Sequence, residues 1–404
     1  MRLLQLLCLL LALMLPLMAL ADKTITITFT GDVTLGGEER IAGEANSFAS
    51  VYEKNGPEYF LQNFADFFAE DDLTVINLEG VLTDNDQLNP VDKGKGTEIG
   101  SGYWFRGSTE YVKVLTSASV EAASLANNHT LDYGETGLRD TIRALEGAGV
   151  AWFGTYDKHT NDTEAFYFYE KDGVTVAFVS LYWENYSQGD PNGVGAWLSN
   201  EIMEMKASGK VDAVVAVLHG GQEYGRHRTR PQKVFTAMAM KAGADLVICH
   251  HAHVVMGMDV IGNRSAVYSL GNFCFGGNRS AYQVKTGKKN IVQDASPALV
   301  VRAVLTFDDD GRYKGQQLTL YPVQTTSVDR NGESIQVNDF RPKFITGKLA
   351  ANVMHLMQVD MNYDLKDRVN RDLKALVVAE EKKLQAMDSS EGMYSLTLPY
   401  LPAE

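Results

Sequence analysis

Short apolar runs that each close on a polar or charged tip recur along this chain, and they alternate with stretches of helical spacing. Residues 24–30 alternate Thr with Ile and Phe, which predicts a strand entering a core. Residues 59–70 (YFLQNFADFFAE) set aromatics at helical spacing, and 73–78 returns to a strand. The pattern then predicts a short helix over 109–117, a strand over 120–126, a helix over 136–146 stopped by Gly147 and Gly149, and a short strand over 150–153. Residues 165–169 and 174–181 flank Lys171-Asp172-Gly173, a hairpin signal. A helix over 197–205 and a strand over 211–218 follow. Pro231 sits in the first turn of a helix over 231–242, where its missing N–H costs nothing. Strands are expected over 245–249, 265–270, 300–307 and 316–321, the last two antiparallel. Residues 83–102 and 185–195 are polar, Gly-rich loops. Such alternation predicts a layered α/β sandwich that ends near residue 325. Beyond it, 326–345 reads as a polar linker or peripheral loop, and 346–390 carries helical apolar spacing (Leu349, Val353, Leu356, then Leu373, Leu376, Val377). Residues 326–404 are therefore expected to form a helical C-terminal accessory region.

The start of the chain adds a compartment. Residues 1–21 hold one charge, Arg2, then an apolar run over 3–20 closing on Ala19-Leu20-Ala21. This reads as a signal peptide and an extracytoplasmic, secreted or envelope-associated protein. Left uncleaved, residues 3–20 would anchor the chain. Cys249 and Cys274 are the cysteines beyond it, too few for a disulfide-built fold. The formal charge of -14 disfavours nucleic acid as a partner.

The candidate chemistry sits at the tips of the strands, the usual place for sites in layered α/β folds. They are Gly31-Asp32, Asn77-Leu78-Glu79, Asn127-Asn128-His129, the segment from His219 to Glu223, the segment from His250 to His253, and Gly271-Asn272. His251 and His253, alternating with Ala252 on an extended segment, would point to one face and approach one metal cluster. His250 would then point away. Asp32, Glu79 and His253 are assigned to one ion, and Glu79, Asn128, His219 and His251 to a second. Nitrogen and oxygen ligands without thiolate favour two divalent ions of Mn, Fe or Zn. Such a pair would acidify a bridging water. The candidate catalytic pair is His129, as proton donor, with Asp132 orienting its ring. Arg226 and Arg228, beside His227, form a basic patch in an acidic chain that reads as a binding site for an anion or as a solvated loop. Glu223 and Asn272 complete the candidate substrate-binding set.

Taken together, these segments are recognisable. FTGDVTLGG (29–37), VINLEGVLT (75–83), FRGSTEYVKVL (105–115), SLANNHTLDYGETGL (124–138), LHGGQEY (218–224), HHAHVVMG (250–257) and YSLGNFCF (268–275) occur in order. The chain resembles the bacterial capsule-synthesis CapA family, the poly-gamma-glutamate biosynthesis group of the calcineurin-like metallophosphoesterases. The resemblance implies a four-layer α/β/β/α sandwich with its site at the strand ends. It also matches the metal assignment above. Many metallophosphoesterases carry a histidine two residues after the first aspartate, where this chain has Thr34, and an aspartate where it has Glu79.

Three functions follow as expectations. The first is a metal-dependent hydrolase acting on a phosphoester or amide of an anionic envelope polymer or a small phosphoester. The second is a non-catalytic assembly or export partner of membrane capsule-synthase subunits. The third is a nucleotidase or general phosphatase, for which Trp183 or Trp104 would have to clamp a base.

Overall fold

The Thr/Ile alternation near the start becomes the strand Lys23–Thr34, whose Ile25, Ile27 and Phe29 enter the largest core cluster. This computed structural model describes residues 22–91, 103–154, 166–183, 193–277, 296–327, 338–361, 367–387 and 392–403. The expected leader (1–21), the second half of the 83–102 loop and most of the 185–195 loop lie outside these described residues.

Two sheets build the scaffold. In the first, the order is Lys343–Phe344, Tyr313–Gln324, Pro297–Phe307, Lys23–Thr34, Leu73–Leu78, Ala122–Ser124, Ala151–Phe153. Its half from Lys23–Thr34 onward is parallel. The two long C-terminal strands pair antiparallel on the other side, as their alternation predicts. The second sheet runs Met258–Ile261, Arg264–Val267, Leu246–His250, Ala213–His219, Val174–Tyr182, Phe166–Lys171. Its four central strands are parallel, with antiparallel edges.

Strand faces decide the layering. Phe29, Val75, Phe178, Val215, Val217 and Ile248 fill the space between the sheets. The opposite face of the first sheet (Ile76, Leu78, Ala123) packs against helical residues such as Phe60, Leu115 and Leu138. The opposite face of the second (Val214, Ala216, Leu218, Val247) packs against Leu198, Ile202, Phe235 and Ala239 of the helices Val194–Ala207 and Arg230–Ala242. The result is the layered α/β sandwich that the sequence pattern predicts, in the four-layer α/β/β/α form that the resemblance implies. Each fully buried Val, Ile or Phe contributes roughly 1.5–3 kcal/mol, so the apolar runs alone account for why the strands pair here.

Two regions differ from expectation. The aromatic run 59–70 is split into the helices Glu58–Leu61 and Ala65–Phe68, because Phe64 leaves the helix at φ -120. The i, i+4 set Phe60, Phe64, Phe68 remains buried across the break. Residues past 325 are built into the same body. Lys343–Phe344, Leu396–Thr397 and Leu401–Pro402 all pair with Tyr313–Gln324. The helices Gly347–Asp360 and Arg368–Gln385 bury Val353, Met354, Met357, Val377 and Leu384 in the cluster that fills the space between the sheets. Among the described residues, no helix is long and apolar enough to cross a membrane.

Candidate metal centre

Strand register brings the polar tips to one edge. Asp32 pairs across from Asn77 on one side and Asn272 on the other, and Asn77 pairs with Ser124. In the facing sheet His219 pairs with His250 and Tyr182. The parallel strands of both sheets thus end level, with their next residues projecting into a shared space. Gly31 is required for this closeness, since a Cβ there would lie 2.2 Å from the Gly271 carbonyl oxygen.

Two ligand sets result, joined by one carboxylate. Asp32, Glu79 and His253 offer atoms within 4.8 Å of one another, and so do Glu79, His219 and His251. Glu79 Oε1 lies 3.7 Å from His253 Nε2 and 3.7 Å from His219 Nε2. His219 Nε2 is also 3.1 Å from His251 Nδ1 and 2.8 Å from Asn128 Oδ1. Ligand atoms bonded to one cation at about 2.0–2.2 Å stand roughly 3–3.5 Å apart, close to these spacings.

The electrostatics fit a cation. Asp32 and Glu79 are fully buried, and neither Glu79 oxygen accepts a hydrogen bond among the described residues. Burial first, then the negative charge of Asp32, pushes the Glu79 carboxyl well above its ordinary range. Burial opposes ionisation of Asp32 too, but the imidazoles of His250 and His253, 3.1 and 3.3 Å from its oxygens, outweigh it and hold that carboxyl well below its usual range. Burial, then His251, depresses His219. For His253 burial is overcome by Glu79 and Asp32, which raise it well above an ordinary imidazole. Two carboxylates hold opposite protonation tendencies here because the protein supplies less positive charge than they demand. A cation would supply it, and the oxygen and imidazole donors suit a borderline or hard divalent ion. The residues therefore fit a metal centre.

A second device sits beside it. His129 Nδ1 is 2.7 Å from Asp132 Oδ2, which also accepts the Phe105 backbone N–H at 2.6 Å. The Phe105 ring stacks on the imidazole, with centroids 4.0 Å apart. With Nδ1 held by a carboxylate and one face covered, Nε2 is the end turned to the centre, and it lies 3.9 Å from Glu79 Oε1. A histidine so held can deliver a proton at one fixed point.

Asp32, Glu79, Asn128, His219, His251 and His253 are thus brought together, with His129 and Asp132 adjoining. Of the substrate-binding set only Asn272 reaches the centre. Arg228 requires a correction, for its side chain is wholly buried and paired with Asp360 and Asp259, away from any anion in solvent. Arg226 and Glu223 are exposed on the same loop, and Glu223 acts on the centre through its charge, which helps raise Glu79. Asn272 is buried, and its Oδ1 accepts from His253 Nδ1 at 2.8 Å, so it orients a ligand histidine.

The backbone of the histidine run also differs. The strand ends at His250, and His251 and His253 take φ of 92° and 56°. They reach different ligand sets from a tight bend, where residues in sparsely populated backbone regions cost about 1–3 kcal/mol each. His250, expected to face away, has Nδ1 3.1 Å from Asp32 Oδ1. An imidazole therefore stands against the first aspartate although position 34 is a buried threonine. Asn77 and Asn127 act as struts. Asn77 Nδ2 donates to Asp32 Oδ1, and Asn127 bridges Asn77 Oδ1 and the Leu78 carbonyl while accepting from the His129 N–H. Their signal lies in the runs NLE and NNH, where an amide precedes each charged tip.

Comparison with known proteins sets this geometry among relatives. The chain is 26% identical to the Capsule biosynthesis protein CapA of Bacillus anthracis over 265 residues, covering 63% of this chain and 60% of that protein. It is 27% identical to the PGA biosynthesis protein CapA of Bacillus subtilis (strain 168) over 262 residues, 63% of this chain and 64% of that one. The chain thus matches less than two thirds of the length of these curated relatives. Among solved structures, a hypothetical protein from Thermus thermophilus aligns at a TM-score of 0.44 and 17% identity, over 74% of this chain and 99% of that one. The sulfate thiohydrolase SoxB of the same organism aligns at 0.37 and 12%, over 73% and 56%. The family model described as Bacterial capsule synthesis protein PGA_cap matches residues 26–277, a span holding every candidate ligand, His129 and Asp132. This chain belongs to that capsule synthesis family.

Proposed function

We propose that this chain is a metal-dependent hydrolase of capsule or polyglutamate metabolism, cleaving a phosphoester or an amide of an anionic envelope polymer or its precursor outside the cytoplasm. One observation carries the reading: two ligand sets share Glu79, and an oriented imidazole, His129, stands 3.9 Å from that shared carboxylate. Asp32, Glu79 and His253 would hold one divalent ion, with Glu79, Asn128, His219 and His251 holding the other. Bound there, such ions polarise a phosphoryl or carbonyl oxygen and make water a better nucleophile. The chain's own residues do the rest. Asp132 fixes the His129 tautomer with the proton-bearing nitrogen toward Asp132 when the ring is neutral. When the ring is protonated, Nε2 donates to the leaving oxygen or nitrogen as the scissile bond breaks and water's hydroxyl joins the phosphorus or carbon. Phe105 covers the ring face and excludes water from one side. The relatives' names, which concern capsule and PGA biosynthesis, support an anionic polymer as the substrate class.

Elemental analysis of the purified protein, with turnover of phosphomonoester, phosphodiester and gamma-glutamyl amide probes before and after chelation, tests the reading. Bound transition metal that falls in Glu79→Gln and His251→Ala, together with chelator-sensitive turnover, supports it. Equal metal content in wild type and both variants sinks it. A second reading, a non-catalytic partner of membrane synthase subunits, draws on Thr34, which adds no imidazole to the ligand set of Asp32, Glu79 and His253. It predicts intact capsule formation in a strain carrying His129→Ala.

A further inference from the structure

We propose that Asp360, in the C-terminal helix Gly347–Asp360 and outside the family-matched span, is a positioning residue of the metal centre. Its role is to clamp together the two segments that carry three of the centre's histidine ligands. This inference rests on the metal reading above.

The fully buried Asp360 carboxylate accepts three hydrogen bonds. Oδ1 takes the Arg228 backbone N–H at 2.7 Å, and Oδ2 takes Arg228 Nε at 2.8 Å and the Gly257 N–H at 2.9 Å. Arg228 continues the network to Asp259 and lies 3.7 Å over the Tyr268 ring. The helix end can come this close only because residue 257 is glycine. A Cβ there would meet Met361 Cγ at 2.5 Å and the Met357 carbonyl oxygen at 2.8 Å.

The two clamped points are informative. Gly257 closes the segment that bears His251 and His253, both at positive φ. Arg228 closes the loop that leaves His219 and carries Tyr224. That loop touches the histidine segment again where the Tyr224 N–H donates to the Ala252 carbonyl at 2.7 Å, and the Tyr224 ring lies 5.6 Å from that of His253. Strained backbone persists only where its surroundings over-determine it. Asp360 supplies that constraint from a part of the chain remote in sequence, through three buried hydrogen bonds that do not depend on solvent. The C-terminal extension is thereby part of the catalytic unit.

Two readouts on the full chain test this. The first is amide hydrogen exchange of the metal-free protein. Asp360→Asn should speed exchange roughly tenfold or more over residues 222–229 and 251–257 while residues 347–356 stay protected. Met354→Ala, a core change in the same helix that touches neither segment's clamp, should speed exchange in the helix and leave the two segments near wild type. The second is calorimetric titration with Mn2+, where Asp360→Asn should weaken binding by roughly 10–100-fold and Met354→Ala should not. Wild-type exchange in both segments of Asp360→Asn would overturn the proposal. So would equal loosening by both variants, which would make Asp360 a stability residue only. If the wild-type protein takes up no Mn2+, the metal reading fails, and the exchange experiment alone still decides whether Asp360 clamps these segments.

Discussion

Two buried clusters of charged side chains lie close together in this fold and are built on opposite terms. Around Arg228, the guanidinium is ringed by Asp360, Asp259 and the face of Tyr268, and the Asp360 oxygens are taken up by three donors. Around Glu79, two carboxylates share one set of imidazoles, and both Glu79 oxygens lack a hydrogen-bond donor among the described residues. Each buries charge at a cost of several kcal/mol per ion. Only the second leaves that cost uncompensated by the chain. Burial of charge alone thus does not mark a functional site. The mark is an arrangement whose polar atoms converge without satisfying one another, which a ligand can complete.

The largest effect expected from this contrast is on chemistry. His129→Ala removes the imidazole held by Asp132 but belongs to neither ligand set, so turnover of a phosphoester or amide probe should fall by about 10²–10⁴-fold. Metal content should stay at the wild-type level. Steady-state rates beside elemental analysis check this, and a variant that loses metal in proportion to activity would merge His129 with the ligands.

Next comes stability, where the two clusters should respond with opposite signs. Arg228→Met leaves the buried Asp360 without its cation and should cost about 3–5 kcal/mol, as breaking a buried pair does. Glu79→Gln removes a carboxylate that the chain itself does not satisfy, and in chelator it should raise the melting temperature. Thermal and urea denaturation of the three proteins in EDTA measure both. Equal destabilisation by the two substitutions would erase the distinction drawn between the clusters.

The same contrast explains what can be read from sequence. Strand tips such as VINLE and AVVAVLH are legible because an apolar run ending abruptly in a charged residue has few purposes at the end of a buried strand. The convergence of those tips also follows, since parallel strands present their ends at one edge. Arg228 misleads because its neighbours Arg226 and Arg230 resemble a solvated basic patch, while its partner Asp360 lies 132 residues away. Helical spacing shows that 346–390 buries a face, but periodicity does not say against what. His250 points outward only if strand alternation is carried past the place where the backbone turns to positive φ at His251. Local patterns reveal elements and tips; they do not reveal pairings between distant segments or departures from regular backbone.

The smallest effect is a pH slope, and it separates the clusters most finely. In the cation-free protein the Glu79 carboxyl is raised above its ordinary 4.5 and the His253 imidazole above its ordinary 6.5. A group raised on folding stabilises the fold fully below its unfolded value, and that contribution is lost as pH climbs through the folded value. Glu79 should therefore begin to lose its contribution above 4.5 and His253 above 6.5. His219, lowered from 6.5, gains in the other direction up to that pH and offsets Glu79 there, so the melting temperature in EDTA should decline mainly as pH rises above about 6.5. Asp32, lowered from 3.8, acts in the other direction and only at more acid pH. Saturating Mn2+ should reverse the decline, because the deprotonated forms of Glu79 and His253 are the ones that bind a cation and its affinity rises as they lose protons. Glu79→Gln should remove the part of the slope that starts near 4.5 and shrink the His253 part, since the Glu79 charge is the first cause that raises His253, whereas Asp259→Asn, in the Arg228 cluster, should leave both parts in place. A slope in EDTA that persists unchanged in Glu79→Gln would mean that the unmatched charge lies elsewhere than in the shared carboxylate.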